Sequence, residues 1–509
     1  FQAEDGIRDR SPSRGLGDVY KRQPSISEYL NKHGPSRATK VTQWLVEHGV
    51  APDAARKRVS RVKPPIQRLS AAILSKGEHF LYLQHQHREQ WFWTHIQRDM
   101  REVRSIFGVA LDALIARGGA VLTEDFPVIS AGTLKPRRGH VLHSKVHEQL
   151  QLAGLVSHTT LNGQNYICIV PDAIESTDVV EVQARRITEN IVLDGIREWA
   201  RKLGLASYNA IRIRGDETLV HSFAFDLTGP SYLLPVRGAS AGPGFLVADV
   251  FSGAELDVLQ IQYFIRKVTT IHEMIGGGDV LPLLVADRFT SEALTAGHKI
   301  GLVMATPTDL FGKSVGAALA LLLDTIKRAA QSIIIPNDAI KLLNTLSEIE
   351  GRSGNLRGIL FELLSAYLAG RDGSHIEVGQ PTRHKDGRVG EIDVLKWIPR
   401  RVCIAIECKG KSPGGIVTLE EVETWFRRIE VHRDHLRRSG NHKESEMSFE
   451  LWTSGGLSDD AITLLESEKV KRTKYKIAWK DGRQVLELAL ELKEKAIADA
   501  IKQHFIQHA

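Results

Sequence analysis

The stretch GEIDVLKWIPRRVCIAIECKGK, residues 390–411, carries the pattern that decides the fold of the C-terminal part of the chain. Two largely apolar runs separated by Pro-Arg predict two β-strands joined by a turn. Alternate residues of a strand share a face, so Glu391 and Asp393 point the same way from the first strand. Glu407 and Lys409 likewise share a face of the second. Paired as a hairpin, the strands bring Asp393, Glu407 and Lys409 together at one end of the sheet.

This group of charges is unusual at the end of an apolar strand. Burying carboxylates beside a lysine costs free energy unless a cation or a substrate compensates them. The group therefore indicates a site of chemistry, and the alternative is a surface hairpin with an ordinary ion pair. The role of Glu391 is open between support of the site and a solvated position at the strand edge.

The elements predicted around the hairpin have a defined order. A helix over residues 357–364 carries Glu362 upstream of it. Downstream, the apolar spacing predicts helix, strand, helix and strand in turn, over residues 418–438, 449–452, 459–468 and 475–479. The sequence Lys-Asp-Gly-Arg at 480–483 predicts a hairpin turn, and residues 492–507 predict a terminal helix.

An Asp in one strand, Glu-x-Lys in the next and this order of elements resemble the PD-(D/E)xK nuclease superfamily. More narrowly, they are similar to Mrr-type restriction-endonuclease-like domains, in which a Gly-Glu-Ile-Asp-like strand is followed by Glu-Cys-Lys. The resemblance covers residues 353–491. Ile392 replaces the proline of the motif, a variation that this superfamily tolerates.

The resemblance implies a Mg²⁺-dependent endonuclease that hydrolyses DNA in restriction or another prokaryotic defence role. Asp393, Glu407 and the backbone carbonyl of Cys408 would hold Mg²⁺, with Mn²⁺ as a substitute ion. The ion polarises the scissile phosphate and lowers the pKa of a bound water. Lys409 would orient or help to deprotonate that water and balance charge in the transition state. Glu362 would bind the ion through water, or would support the metal ligands without contacting the ion.

The positive charge of the chain is concentrated near its N-terminal end. Residues 24–150 carry 19 Lys and Arg against 11 Asp and Glu, whereas the whole chain of 509 residues has a formal net charge of +6. The residues that follow therefore sum to a slightly negative charge. A localised basic excess is typical of a nucleic-acid-binding module.

Three short helices and a hairpin are predicted over residues 24–90, an order that resembles a winged helix-turn-helix. Ser25 has capping-box spacing at the start of the first helix, and Pro52 begins the third. In winged helices the third helix enters the major groove of DNA. Its basic residues here are Arg56, Lys57, Arg58 and Arg61. The alternative is a three-helix packing module with a solvated basic face.

A second module of the same kind is predicted over residues 91–178. Residues 139–156 have helical spacing, and Asn-Gly at 162–163 is a strong turn signal between two strand-forming runs. A helix followed by a wing again resembles a winged helix, a fold that also mediates protein contacts. The aromatic cluster at 91–93 is expected in a core rather than on a base-stacking surface.

Residues 179–312 are predicted to form an α/β domain with a mixed sheet. Its predicted order is helix, three strands, helix, strand, helix and strand. The long helix spans residues 179–204, the strands 222–227, 232–236, 244–250, 280–286 and 300–305, and the helix after the third strand 256–268. The domain looks like a restriction-endonuclease-type core with a degenerate metal site. Asp226 and Asp249 end neighbouring strands, but Phe251 stands where the active pattern requires a lysine. Another α/β binding fold is the alternative, and no catalysis is assigned here.

Composition places the chain among ordinary globular proteins. It is 42% hydrophobic and 25% charged, which excludes disorder, collagen and coiled coil as the main architecture. The apolar stretch at 317–323 is far shorter than the ~20 residues that a membrane span needs. Cys168, Cys403 and Cys408 give neither a disulfide framework nor paired metal-ligand spacing. These features predict a cytoplasmic protein with no membrane partner.

The remaining segments flank the predicted domains. Residues 1–23 resemble the translation of a sequencing adapter and are expected to lie outside the fold, the alternative being a disordered N-terminal arm. Residues 313–352 are expected to form a helical linker, and residues 492–509 a segment with the terminal helix.

The predicted architecture is thus multidomain α/β and α+β, with N-terminal winged-helix modules, a middle α/β domain and a C-terminal restriction-endonuclease-like α/β core. The predicted partner is double-stranded DNA rather than RNA, because winged helices suit the major groove of B-form DNA. A homodimer is a further hypothesis, since cutting both strands normally calls for two active sites. The alternatives are a catalytically inactive DNA-binding regulator and a nuclease gated by a small-molecule activator bound to the middle domain.

Overall fold

The computed structural model describes residues 24–506 apart from 75–76, 88, 162–163, 171–178, 208, 215–217, 234–235, 237–242, 276–279, 331–337, 339–340, 343–354, 400 and 439–441. The adapter-like segment 1–23 therefore lies outside the described residues. The chain divides into two compact units, Phe1–Asp99 and Met100–Ala509.

The first unit contains three short helices and a three-stranded antiparallel sheet in the order β1-β3-β2. These elements are α1 (Ile26–His33), β1 (Ser36–Arg37), α2 (Ala38–Glu47), α3 (Pro52–Ser60), β2 (Ile66–Arg68) and β3 (Phe80–Leu83). Ser25 caps α1 as its spacing predicts, because its hydroxyl accepts a hydrogen bond from the Glu28 N–H. The predicted helices and hairpin are confirmed as secondary structure.

One face of α3 is buried and the other carries the residues predicted to bind DNA. Ala55 and Val59 face the core of the unit. The exposed residues of this region include Arg56, Lys57, Arg58 and Arg61. The next helix, α4 (Gln90–Glu102), buries Phe92 and Trp93. The aromatic cluster therefore belongs to a core, as predicted.

The second unit opens with a module of the same element order. Its elements are α5 (Ile106–Ala116), β4 (Ala120–Leu122), α6 (Phe126–Ile129), α7 (His143–Leu152), β5 (Val156–Leu161) and β6 (Gln164–Ile169). The sheet order is β4-β6-β5, so the last strand in sequence is again the central one. The predicted helix and strands are confirmed, while the turn at 162–163 lies outside the described residues.

A middle core follows, with a five-stranded mixed sheet in the order β13-β12-β11-β10-β7. Its strands are β7 (Arg212–Ile213), β8 (Leu219–Val220), β9 (Phe223–Ala224), β10 (Leu227–Ser231), β11 (Gly244–Leu256), β12 (Val280–Phe289) and β13 (Val303–Ala305), of which β8 and β9 form a separate small hairpin. Its helices are α8 (Val179–Lys202), α9 (Gln262–Ile275), α10 (Ser291–Lys299), α11 (Pro307–Phe311) and α12 (Lys313–Ala330).

The C-terminal core has a second five-stranded mixed sheet, in the order β14-β15-β16-β18-β20. Its strands are β14 (His375–Arg383), β15 (Val389–Ile398), β16 (Val402–Lys409), β17 (Ile416–Val417), β18 (Glu446–Thr453), β19 (Gly456–Leu457) and β20 (Lys476–Lys480). Its helices are α13 (Asn355–Ala369), α14 (Leu419–Arg438), α15 (Asp459–Lys471), α16 (Gly482–Glu491) and α17 (Lys495–His504). Apart from the turn at 480–483, the order of elements predicted from the sequence is confirmed.

The predicted hairpin turn at 480–483 is wrong. Asp481 is the N-cap of α16, where its carboxylate accepts a hydrogen bond from the Gln484 N–H and its own N–H donates to the Gln484 side chain. Asp-Gly suits both a hairpin turn and a helix start. The helical spacing of the buried Val485 and Ala489 decides for the helix.

Two predictions in the middle core are also corrected. β11 continues through Leu256, so the helix predicted from residue 256 begins only at Gln262. The predicted strand at 232–236 is wrong for its first residues, because β10 ends at Ser231 and neither Tyr232 nor Leu233 is in a strand. Short apolar runs do not distinguish strands from helices or loops by themselves.

One apolar core contains side chains from both the middle and the C-terminal sheets. Its members include Ile196 of α8, Leu319 of α12 and Phe361 of α13. The segment predicted as a helical linker is helical over Lys313–Ala330, and its buried face makes it a packed element of the fold. In the described part of the chain, no helix is both long enough and apolar enough to cross a membrane.

Candidate functional site

The two strands predicted to carry the site, β15 and β16, are adjacent and antiparallel. Their last registered pair, Val394 with Ile406, places Asp393 and Glu407 opposite each other at the next position. One carboxylate oxygen of Asp393 accepts a hydrogen bond of 2.6 Å from the Cys408 N–H. The two acidic residues therefore meet at one end of the sheet, as the alternation of the strands predicts.

Glu407 holds two cations beside Asp393. Its Oε1 lies 2.7 Å from Nζ of Lys409 and 3.1 Å from the guanidinium group of Arg428 on α14. The Glu407 side chain is 3% exposed, whereas that of Lys409 is 25% exposed. Burial alone would lower the pKa of Lys409, but the charge and hydrogen bond of Glu407 outweigh it and the pKa is raised. Lys409 is therefore a cation at neutral pH.

Two further carboxyl groups crowd this site. Burial raises the pKa of Glu362 on α13 well above its usual range, and the charges of Asp393, Glu391 and Glu407 raise it further. Burial and then Glu407 also raise the pKa of Asp393, against the Cys408 N–H that lowers it. The pKa of Glu391 is raised by the same two causes. The site has more carboxyl groups than its lysine and arginine can neutralise. This excess of negative charge favours the uptake of a proton or of another cation.

Two members of this group, Glu362 and Lys409, line an open cleft of about 490 Å³. The side chains of the C-terminal core that line it include Glu362, Cys408, Lys409, Lys411 and Glu421. Ile187 and Asn190 of α8 also line it. Side chains of the middle core therefore form part of the cleft above the carboxylates.

The donor set fits a hard divalent cation. Mg²⁺ prefers carboxylate and carbonyl oxygens and keeps several water ligands. Asp393, Glu407 and the Cys408 carbonyl would supply three such oxygens. Among the residues that the structure describes, no group of three or more His, Cys, Asp or Glu side chains is arranged to hold a metal ion. Two carboxylates and one carbonyl leave the other ligand positions to water and substrate.

Arg428 and Lys411 are not among the site residues predicted from the sequence. Arg428 lies on α14 beside the exposed residues Arg427 and Glu430, and charges in such a run are typical of a solvated helix face. Only the packing of α14 on the sheet reveals its contact with Glu407. Lys411 follows the Glu-x-Lys motif by two residues, and that spacing was a usable signal for its place in the cleft.

A buried histidine on α14 is expected to make the stability of the C-terminal core depend on pH. Nδ1 of His432 lies 2.8 Å from Oγ1 of Thr382. Burial, with a smaller effect from Arg428, lowers the pKa of His432 from 6.5 to about 4. In the unfolded chain a histidine takes up a proton near pH 6.5. The contribution of His432 is therefore fully present above pH 6.5 and is lost progressively as the pH falls to about 4.

His432→Gln is expected to remove up to about 3 kcal/mol of the acid-induced loss of unfolding free energy between pH 6.5 and pH 4. Urea unfolding of the wild type and the variant at both pH values measures the difference. His298→Gln, at an exposed position, is the control. Identical pH dependence in the wild type and His432→Gln would contradict the prediction.

Comparison of the chain with protein-family models, with curated proteins and with solved structures gives no significant match in any of the three. The geometry of the site therefore carries the functional conclusion.

Proposed function

We propose that the chain is a Mg²⁺-dependent DNA endonuclease whose C-terminal core hydrolyses phosphodiester bonds and whose N-terminal modules bind duplex DNA. The observation that supports this most directly is the convergence of Asp393, Glu407, Lys409 and Glu362 at one end of the sheet, where Glu362 and Lys409 line an open cleft. Restriction of foreign DNA, or another form of prokaryotic defence, is the role that fits this reaction.

Each residue of the site has a chemical task in this proposal. Asp393, Glu407 and the Cys408 carbonyl hold Mg²⁺, which when bound polarises the scissile phosphate and lowers the pKa of a water ligand. Lys409 is cationic because Glu407 raises its pKa, so it stabilises negative charge on the phosphate rather than acting as a base. Glu362 lines the cleft, and burial together with the neighbouring carboxylates raises its pKa, which favours its protonated form.

Incubation of supercoiled plasmid and of genomic DNA with the protein tests the proposal. Nicked or linear products are expected with Mg²⁺ or Mn²⁺ and none with EDTA. Single-stranded RNA of matched length should stay intact. If the DNA stays uncut although the protein binds it in a salt-sensitive manner, the proposed nuclease is contradicted and the DNA-binding regulator is favoured.

The exposed face of α3 gives the DNA-binding part of the proposal its own test. The triple variant Arg56→Ala, Lys57→Ala and Arg61→Ala removes three exposed cations. Each phosphate contact contributes about 0.9 to the slope of log K against log salt. We expect this slope to fall in magnitude by about 2 to 3, measured by fluorescence anisotropy with duplex DNA.

A matched triple variant serves as the control for α3. Lys202, Lys299 and Lys313 are exposed lysines of the middle core, and their replacement by alanine should leave the slope unchanged. Equal losses in the two triple variants would indicate a general effect of net charge and contradict a specific role for α3.

The gated nuclease is a second candidate, favoured by a second cavity. This cavity of about 190 Å³ shares Glu362 and Glu391 with the active site and is also lined by Tyr166, Gln183 and Arg186. A small molecule bound there would touch two carboxyl groups of the catalytic group directly. The gated nuclease predicts that the protein alone does not cleave plasmid. Cleavage should begin after addition of a small-molecule cell extract or of nucleotide second messengers.

A further inference from the structure

The middle and C-terminal cores share one topology. In each, a helix precedes a five-stranded sheet in which the first three strands are antiparallel neighbours and the last two run parallel to the third. The elements α8, β7, β10, β11, α9, β12, α10 and β13 correspond in order to α13, β14, β15, β16, α14, β18, α15 and β20.

The strand registers extend this correspondence to single residues. Asp226 and Asp249 lie opposite each other one position beyond the last registered pair of β10 and β11. Asp393 and Glu407 occupy the same positions in β15 and β16. The Val250 N–H donates a hydrogen bond of 3.0 Å to the Asp226 carboxylate, which is the counterpart of the bond that Asp393 accepts.

The remaining positions of the motif correspond as well. Glu189 on α8 takes the place that Glu362 has on α13, since each helix supplies one carboxylate beside the two strand residues. Phe251 stands two residues after Asp249, where Lys409 stands two residues after Glu407. The middle core therefore keeps the three carboxylates of the motif and has lost its lysine.

Two guanidinium groups neutralise the carboxylates of the middle core. Arg117 and Arg214 each lie 2.6 Å from Asp226, and they lie 2.8 and 2.7 Å from Glu189. Their side chains are 6% and 4% exposed. Burial alone would raise the pKa of Asp226, but the two arginines hold it well below its usual range. Asp226 is thus ionised, and both arginines pair with it and with Glu189 inside the protein.

A lysine ammonium lies at the third carboxylate, within a cage of oxygens. Nζ of Lys267 on α9 lies 2.8 Å from Asp249, 2.9 Å from the Val128 carbonyl and 2.8 Å from the Ala224 carbonyl. Burial lowers the pKa of Lys267, and Asp249 opposes this. An ammonium group has three N–H donors and a neutral amine only two, so three acceptors at these distances indicate the charged form.

We infer that the middle core is a second copy of the nuclease-type core in which Arg117, Arg214 and Lys267 permanently occupy the place of the divalent cation. Three internal cations match three carboxylates, so a metal ion would meet no uncompensated charge there. In the described part of the C-terminal core, by contrast, two cations, Lys409 and Arg428, stand beside the three carboxyl groups of Glu362, Asp393 and Glu407, and both contact Glu407. The middle copy therefore binds no divalent cation and serves as a scaffold beside the cleft.

This inference does not depend on whether the C-terminal core cleaves DNA. If it does, as proposed above, each chain carries a single hydrolytic centre.

Counting bound metal tests the inference with two variants at corresponding positions. Mn²⁺ is titrated into the full chain, and the free ion is followed by electron paramagnetic resonance. We expect one site per chain in the wild type, none in Asp393→Asn, and one in Asp226→Asn wherever circular dichroism shows that this variant is folded. Because asparagine keeps the size of the side chain and can still accept the hydrogen bond of the Cys408 N–H, Asp393→Asn is expected to fold, and circular dichroism checks this in the same way.

Each result has a distinct meaning. Two sites in the wild type, or one site that survives Asp393→Asn, would overturn the inference while leaving the nuclease proposal intact. A folded Asp226→Asn that loses its bound Mn²⁺ would overturn it too. If the wild type binds no Mn²⁺ at all, the middle copy is free of metal as inferred, but the proposed metal-dependent nuclease is contradicted.

Discussion

Replacement of Lys409 by alanine is expected to lower the rate of Mg²⁺-dependent DNA cleavage about a hundred- to a thousandfold. The ammonium group lies 2.7 Å from Glu407 and lines the cleft in which the scissile phosphate would lie. Its loss removes a fixed positive charge from the transition state. Single-turnover conversion of supercoiled to nicked plasmid, at saturating protein, measures the rate.

The neighbouring strand offers a matched control for this variant. Lys396 on β15 pairs with Asp372 at 2.6 Å, away from the carboxylates of the site, and Lys396→Ala should cleave like the wild type. DNA affinity in EDTA should be unchanged in both variants. If Lys409→Ala cleaves at the wild-type rate, its assigned role is wrong, whatever the rest of the site does.

Replacement of Asp226 by alanine is expected to lower the free energy of unfolding by about 3 to 5 kcal/mol. The change leaves the buried guanidinium groups of Arg117 and Arg214 with Glu189 alone, in place of the two carboxylates that they share. A buried charge that loses its partner keeps its desolvation cost and loses its compensation. Urea unfolding at pH 7 measures the loss.

An exposed ion pair provides the comparison. Asp324 pairs with Arg328 but its side chain is 64% exposed, and Asp324→Ala should change the free energy of unfolding by less than about 1 kcal/mol. Because the pKa of Asp226 is held below its usual range, its contribution is present above about pH 4 and is lost only as stronger acid protonates it. A loss in Asp226→Ala as small as that in Asp324→Ala would contradict a central role for the network.

The C-terminal site could be predicted because its pattern is local. Asp393, Glu407 and Lys409 lie on two consecutive strands, and strand alternation with a short turn is enough to bring them to one sheet end. The helix bearing Glu362 follows from apolar spacing in the same way. The prediction of a hairpin turn at 480–483 was wrong because Asp481 and Gly482 suit both a hairpin turn and the start of a helix. The burial of the residues that follow decided for the helix.

The middle core shows what local pattern could not reveal. The missing lysine at Phe251 is visible in the sequence and predicts a degenerate site. The cations that pair with its carboxylates cannot be recognised in the sequence, because they come from three separate elements. Arg117 lies at the end of α5, Arg214 after β7 and Lys267 on α9. Each alone is typical of a solvated charge.

The sequence by itself determined the order of the elements, the acidic and basic residues of the C-terminal motif and the exposed basic face of α3. These depend on periodicity and on neighbours within a few residues, which the chain fixes before it packs. The tertiary structure alone decided that Arg428 reaches Glu407 and that α8 contributes to the cleft. It also decided that one acidic cluster is neutralised internally while the other keeps uncompensated charge. The physical reason is that electrostatic compensation depends on distance in space, and only packing brings distant charges within a few ångströms of one another.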